Sequence, residues 1–130
     1  MFSDEMDSDA KQFLTLLNDI AVCVAGLDGY FKKVNQAFCK TTGFTEEELL
    51  SKPYRSFVHP EDQDGTVIES VNVANGMPAT VFLNRYVCKD GSVRWLSWKA
   101  MRVGELIYAM ARDVTEFKKL EQQRIEYHVA

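Results

Sequence analysis

The sequence has no apolar run near the roughly 20 residues that a membrane-spanning helix needs. Its first ten residues hold Asp4, Glu5, Asp7 and Asp9, where a secretory leader needs a basic start and then an apolar core. The expectation is a cytoplasmic protein or fragment with no membrane contact by this segment. Basic charge is also in short supply: 15 Lys and Arg stand against 19 Asp and Glu, a net charge of -4. A phosphate backbone rewards a basic face, so nucleic acid is not an expected partner. Cysteine is sparse and odd in number. Cys23, Cys39 and Cys88 lie far apart and form no C-x-x-C, which removes zinc-ribbon, c-type haem and thioredoxin-like readings. They read as small buried hydrophobes in a reducing compartment. The motifs G-x-x-x-x-G-K-[ST], G-x-S-x-G and H-E-x-x-H are missing as well. The imidazoles are His59 and His128 alone. Acid, base and nucleophile would all have to be improvised, so a free-standing enzyme is not expected.

What is there fits one compact domain. A chain of 130 residues leaves no room for a second domain of ordinary size. A hydrophobic fraction of 46% gives it enough apolar surface to offset chain entropy. Met6, Ala10, Phe13, Leu17 and Ile20 make one apolar helical stripe, suited either to its own domain or to a second copy. Ile20–Ala25 reads as a buried strand, Gly26–Gly29 as a turn and Tyr30–Val34 as the other half of a hairpin. Asn35 opens a short helix that Gly43 ends. Thr45 and Glu48 have capping-box spacing ahead of Leu49 and Leu50. Tyr54–Val58 is a brief turn or helix, and Pro60 begins a longer helix to Asn75 with Val67, Ile68, Val71 and Ala74 as its inner stripe. Three strands follow, Ala79–Cys88, Val93–Val103 and Leu106–Val114, joined at Lys89–Ser92 and Gly104–Glu105. Thr115 caps a last helix, Glu116–Tyr127. This order implies an α+β fold, one antiparallel sheet with helices on one face.

Alternation divides the sheet residues into two sets. Thr80, Phe82, Asn84, Tyr86, Leu96, Trp98, Ala100, Ala109 and Ala111 share one face; Val81, Leu83, Arg85, Val87, Val93, Trp95, Ser97, Tyr108 and Met110 share the other. Both are rich in apolar residues, so the second face is expected to be covered by the N-terminal helix or by a partner chain.

At this point the sequence resembles the PAS domain family. The resemblance rests on element order and four local motifs: Leu27–Gly29 followed by Val34, Asn35 and Phe38; Thr42-Gly43-Phe44 with the helix Thr45–Leu50; Phe57-Val58-His59-Pro60-Glu61-Asp62; and Lys89-Asp90-Gly91 with Trp95 and the closing Asp113-Val114-Thr115. It implies a five-stranded antiparallel sheet with short helices on one face, a PAS domain over 19–115, an N-terminal flanking helix over 1–18 and a C-terminal signalling helix over 116–130. It also implies a sensory and dimerising module whose Asp113 and Thr115 pass a change from the last strand to that helix. The candidate pocket residues are Phe38, Phe57, Phe82, Asn84, Tyr86 and Trp98, with polar edges and stacking surface from Asn84, Tyr86 and Trp98.

The cofactor question divides by residue. LOV-type flavin photochemistry needs a reactive cysteine where this chain has Tyr54-Arg55-Ser56-Phe57-Val58. Haem-binding relatives carry a histidine in the long helix, and Pro60–Asn75 has none; His59 reads as a helix cap. No metal site is expected, and Glu61, Asp62 and Asp64 read as a solvated helix start. An empty core is favoured, while a noncovalent flavin or a small metabolite stays open. Leu120–His128 resembles the linker that leads into GGDEF diguanylate cyclase domains, with a histidine kinase linker as its competitor. Either way the expectation is a homodimer through the flanking helices and an output domain covalently attached in the full-length protein. Two function classes follow: an input module that senses a ligand or cofactor, and a ligand-free module that only dimerises.

Overall fold

The computed structural model describes residues 9, 10 and 20–129. Of the helix expected over 1–18, only Asp9 and Ala10 fall within that range, and both are helical. Strand β1 (Ala21–Gly26) and β2 (Phe31–Val34) come first, followed by helices α1 (Gln36–Thr42) and α2 (Glu46–Leu50). Two 3-10 turns, Tyr54–Phe57 and Pro60–Asp62, lead into α3 (Gln63–Ala74). Strands β3 (Ala79–Val87), β4 (Val93–Val103) and β5 (Leu106–Asp113) precede α4 (Thr115–Val129). The five strands form one antiparallel sheet in the order β2-β1-β5-β4-β3. This is the α+β architecture expected from the sequence.

Local chemistry sets the joints. Asn35 is buried, and its Oδ1 accepts from the amides of Val22 and Phe38, at 3.0 Å each, while its Nδ2 donates to the Ile20 carbonyl at 2.7 Å. One side chain therefore caps α1 and fastens it to β1. Gly43 ends α1 at φ 80°, a left-handed conformation that a Cβ would strain. Thr45 and Glu48 make both bonds of the expected capping box. The helices pack on the inner face of the sheet, where Phe38 and Leu49 are fully buried among Cys23, Phe31, Phe57, Tyr86, Leu96 and Trp98.

Four expectations need correction. First, α3 does not bury Val67, Ile68 and Val71; they are 37%, 63% and 53% exposed, and Thr66 and Val73 are the buried residues. The helix turns its Thr66–Ser70 side to the sheet instead. Its first turn is also separate, as the 3-10 segment Pro60–Asp62. Second, the strand alternation slips at the start of β3. Ala79 pairs with Ala100 and Phe82 with Trp98, with an irregularity between them that leaves Thr80 exposed rather than inward. Third, Thr115 starts α4 rather than capping it from outside: its own amide is capped by Asp113 Oδ1 at 3.0 Å. Fourth, Glu61 and Asp62 are not simply solvated, because both pair with Arg85.

The outer face of the sheet is covered over β1 and the adjoining part of β5, where Ala10, Val24 and Leu106 are buried together against Tyr108. Over β3 and β4 it is open: Val81 is 71% exposed and Met101 54%.

Candidate functional site

Between α3 and the inner face of the sheet lies a cavity of about 80 Å³. β3 supplies Phe82, Asn84 and Tyr86, β4 supplies Trp98 and Ala100, and Ala25, Ile107 and Ala109 complete the sheet wall. Thr66, Glu69, Ser70 and Val73 close it from α3, and Tyr54 from the first 3-10 turn. No basic side chain lines it.

The structure brings four of the six candidate pocket residues to this wall: Phe82, Asn84, Tyr86 and Trp98. Phe38 and Phe57 are not among its lining residues. Phe38 packs on Tyr86 and Trp98, with ring centroids 6.0 and 5.9 Å away, and so braces both. Phe57 packs on Phe44 at 5.0 Å and Phe31 at 6.4 Å, farther along the same aromatic cluster. Sequence reasoning missed Tyr54, Thr66, Glu69 and Ser70. A signal existed, since Thr66, Ser70 and Val73 recur at helical spacing, but the apolar residues Val67, Ile68 and Val71 outweighed it.

A hydrogen-bonded chain crosses the site. The Trp98 indole N–H donates to Asn84 Oδ1 at 2.8 Å, Asn84 Nδ2 donates to Thr66 Oγ1 at 3.1 Å, and Thr66 Oγ1 donates to the Asp62 carbonyl at 2.8 Å. Every fully enclosed side-chain nitrogen and oxygen among the described residues has a partner. The Tyr86 hydroxyl has no partner among those residues, so it is not sealed into packed carbon and opens onto the cavity it lines. Burial pushes its pKa well above the ordinary phenol value, with the Cys23 and Tyr54 groups adding to the shift. Burial raises Tyr54 too, against the neighbouring Ser70 hydroxyl, which lowers it. Tyr54, Ser70 and Ile107 also line a surface groove of about 320 Å³ that includes Leu27, Val67 and Val71. The Tyr54–Ser70 pair is thus the partition between cavity and solvent.

A room of 80 Å³ takes several water molecules. Pockets for drug-sized ligands run to about 300–1,000 Å³, so the cavity is small beside the three-ring system of a flavin. The cysteines also stand away from the lining, Cys23 being raised far above its usual pKa by burial. His59 Nδ1 accepts from the Glu61 amide at 3.1 Å as a helix cap, and the cavity lining holds no histidine, cysteine or methionine.

A second cluster joins the sheet to α4. The Trp95 amide donates to Thr115 Oγ1 at 2.9 Å, and Thr115 Oγ1 donates to Asp113 Oδ1 at 2.5 Å. The Val114 amide donates to the Trp95 carbonyl at 2.9 Å. The Trp95 ring has the Arg85 guanidinium 5.2 Å and the Lys118 ammonium 4.8 Å from its centroid. Arg85 in turn holds Asp62 through Nε and Nη2, at 3.0 and 2.8 Å. The guanidinium lowers the Asp62 pKa. The two candidate relay residues, Asp113 and Thr115, are therefore in contact with each other and with β4.

A family model described as PAS fold matches residues 31–105. The chain is 26% identical over 110 residues to the probable diguanylate cyclase DgcE of Escherichia coli (strain K12); the match takes in 79% of this chain and 10% of that protein's length. Among solved structures, a domain of a sensory box sensor histidine kinase/response regulator from Geobacter sulfurreducens superposes with a TM-score of 0.72 at 19% identity, over 85% of this chain and 97% of that one. The Rhodobacter sphaeroides LOV protein gives a TM-score of 0.72 at 11% identity, over 86% of this chain and 69% of that one. At such identities the structural likeness concerns the fold alone.

Proposed function

The chain belongs to the PAS family, and from that premise we propose that it is the input module of a larger signalling protein, binding a small metabolite in the cavity and relaying occupancy through α4 to an output domain. The observation that carries this reading is the double duty of β4. Trp98 forms part of the cavity wall, and Trp95, three residues earlier on the same strand, is clamped to Thr115 at the root of α4. A ligand that shifts Trp98 acts on a strand whose other end holds the helix. The domain proper is assigned to 19–115, with 1–18 and 116–130 as flanking segments, and a cytoplasmic setting suits its charge. No helix among the described residues is long and apolar enough to cross a membrane. The output is assigned to a diguanylate cyclase or a histidine kinase, supported by the kinds of protein in which similar domains stand. The small cavity favours a metabolite over a flavin.

A thermal-shift screen of metabolites, followed by hydrogen exchange on each hit, tests the proposal. The expected result is a ligand that raises Tm and changes exchange at the Val114 and Thr115 amides, with the second effect lost in Thr115→Val. A ligand that protects the cavity but leaves those amides unchanged in wild type overturns the relay. A screen without a hit, together with no small molecule in a denatured extract of fresh protein, favours the second reading. That reading is a ligand-free module that dimerises, and the open apolar face of β3 and β4 is the observation behind it.

A further inference from the structure

The cavity has an unusual charge balance for an aromatic-lined room. Glu69 is the one ionisable acid or base of either sign on its wall apart from the tyrosines, and it is half-buried on the inward side of α3. Among the described residues nothing answers its carboxylate: no ion pair or hydrogen bond involves it, although α3 has solvent on its opposite side for a charge to occupy. The helix instead exposes Val67, Ile68 and Val71 and turns Glu69 and Ser70 inward. A helix that puts apolar residues in water and Glu69 on its cavity side gives up hydrophobic burial on both counts. Four rings stand in the same wall, Tyr54, Phe82, Tyr86 and Trp98, the last two with centroids 5.8 Å apart. Ring faces carry the negative end of the aromatic quadrupole, so they add to the field of the carboxylate. The Tyr86 hydroxyl, almost wholly buried and without a partner among the described residues, offers a further oxygen towards the same space.

We infer that the cavity is selective for a small organic cation, a methylated ammonium or compact amine, held by Glu69 and the faces of Tyr54, Tyr86 and Trp98. This rests on the ligand-sensing reading above and specifies its ligand class. Anionic metabolites are rejected because no basic side chain meets them there and Glu69 repels them.

Calorimetric titration of the 130-residue chain with three probes that share a trimethyl head decides the matter: choline, its neutral isostere with carbon in place of the quaternary nitrogen, and pivalate. Choline is expected to bind at least about tenfold more tightly than the neutral isostere, with no binding of pivalate. Glu69→Gln, a change at a half-exposed position that leaves the fold intact, is expected to erase the difference between choline and the isostere. Equal binding of choline and the isostere to wild type, unaffected by Glu69→Gln, overturns the cation inference and leaves the ligand-sensing reading standing. Preferential binding of pivalate overturns it in the same way. Silence from all three probes overturns the cation inference; if metabolites in the wider screen still bind, the ligand-sensing reading survives it.

Discussion

Asn84 has two partners that no other side chain in the cavity could serve at once. Its carbonyl oxygen takes the Trp98 indole proton and its amide reaches Thr66. Replacing it by Ala strands a buried indole N–H and opens space beside it, two penalties that add. Asn84→Ala is expected to destabilise the domain by about 2–4 kcal/mol in urea titration, with a red-shifted Trp emission as the indole loses its fixed partner. Gly65 gives the opposite case. It sits in the first turns of α3, and a Cβ there meets nothing within 4 Å. Gly65→Ala is expected to raise stability by about 0.5–1 kcal/mol, visible as a higher urea midpoint with an unchanged slope. At this scale the sequence was a good guide wherever the chemistry was local. The Asn35 cap on Phe38, the Thr45–Glu48 box and the His59 cap each act within three residues, so spacing alone exposes them, whereas the bonds of Asn35 to Val22 and Ile20 do not show in spacing. Glu69 and Thr66 were not legible, because their inward orientation depends on what the sheet presents opposite.

Between elements, the bond from Asp62 to Arg85 fastens the entrance of α3 to β3. Its backbone half is the Arg85 amide donating to Asp62 Oδ2 at 2.8 Å. Because Asp62 has a lowered pKa in the fold, mainly through the Arg85 side chain, its contribution is complete above the unfolded carboxylate range near pH ~3.9. That contribution fades as pH falls through the lower folded value. Acid titration of wild type is therefore expected to show stability lost below about pH 4. Asp62→Asn is expected to cost about 1.5–3 kcal/mol at pH 7 and to flatten that part of the pH profile. The strands were readable from alternation and from turn residues such as Asp90-Gly91, whose Ser92 amide donates to Asp90 Oδ1 at 2.9 Å. The orientation of α3 was not readable, since hydrophobic periodicity names the buried face only when the opposing surface is itself apolar and closed. Here the opposing surface is a partly polar cavity, and periodicity names the wrong face of α3.

Across the whole molecule, exposed apolar side chains among the described residues lie on the open outer face and on α4, as well as on the outward side of α3. Val81, Leu83, Met101, Val103, Phe117 and Leu120 are all exposed. Such residues are expected to draw copies of the chain together. Sedimentation velocity over a concentration series is expected to show reversible association, weakened when Val81 and Met101 are both replaced by Lys and the fold is kept. A monomer at every concentration would remove the basis for the dimerising reading. The sequence showed that both sheet faces were apolar but left open what covers the second.

The strand order also has a bearing on how the chain is made. β1 lies between β2 and β5, and its partner residues on that second edge run from Ala21 with Ala111 to Gly26 with Leu106. The central ladder therefore joins the first strand to the last. On a ribosome, β1 and its hairpin must wait for nearly the whole domain before their second neighbour emerges, and the sheet closes only after α4 has been synthesised and β5 has cleared the exit tunnel. Closure of so long a loop places folding on the order of milliseconds to seconds rather than microseconds. Any domain that follows α4 would begin to leave the exit tunnel as the sheet behind it locks, so sensor and output would be born in sequence, each finished before the next could interfere.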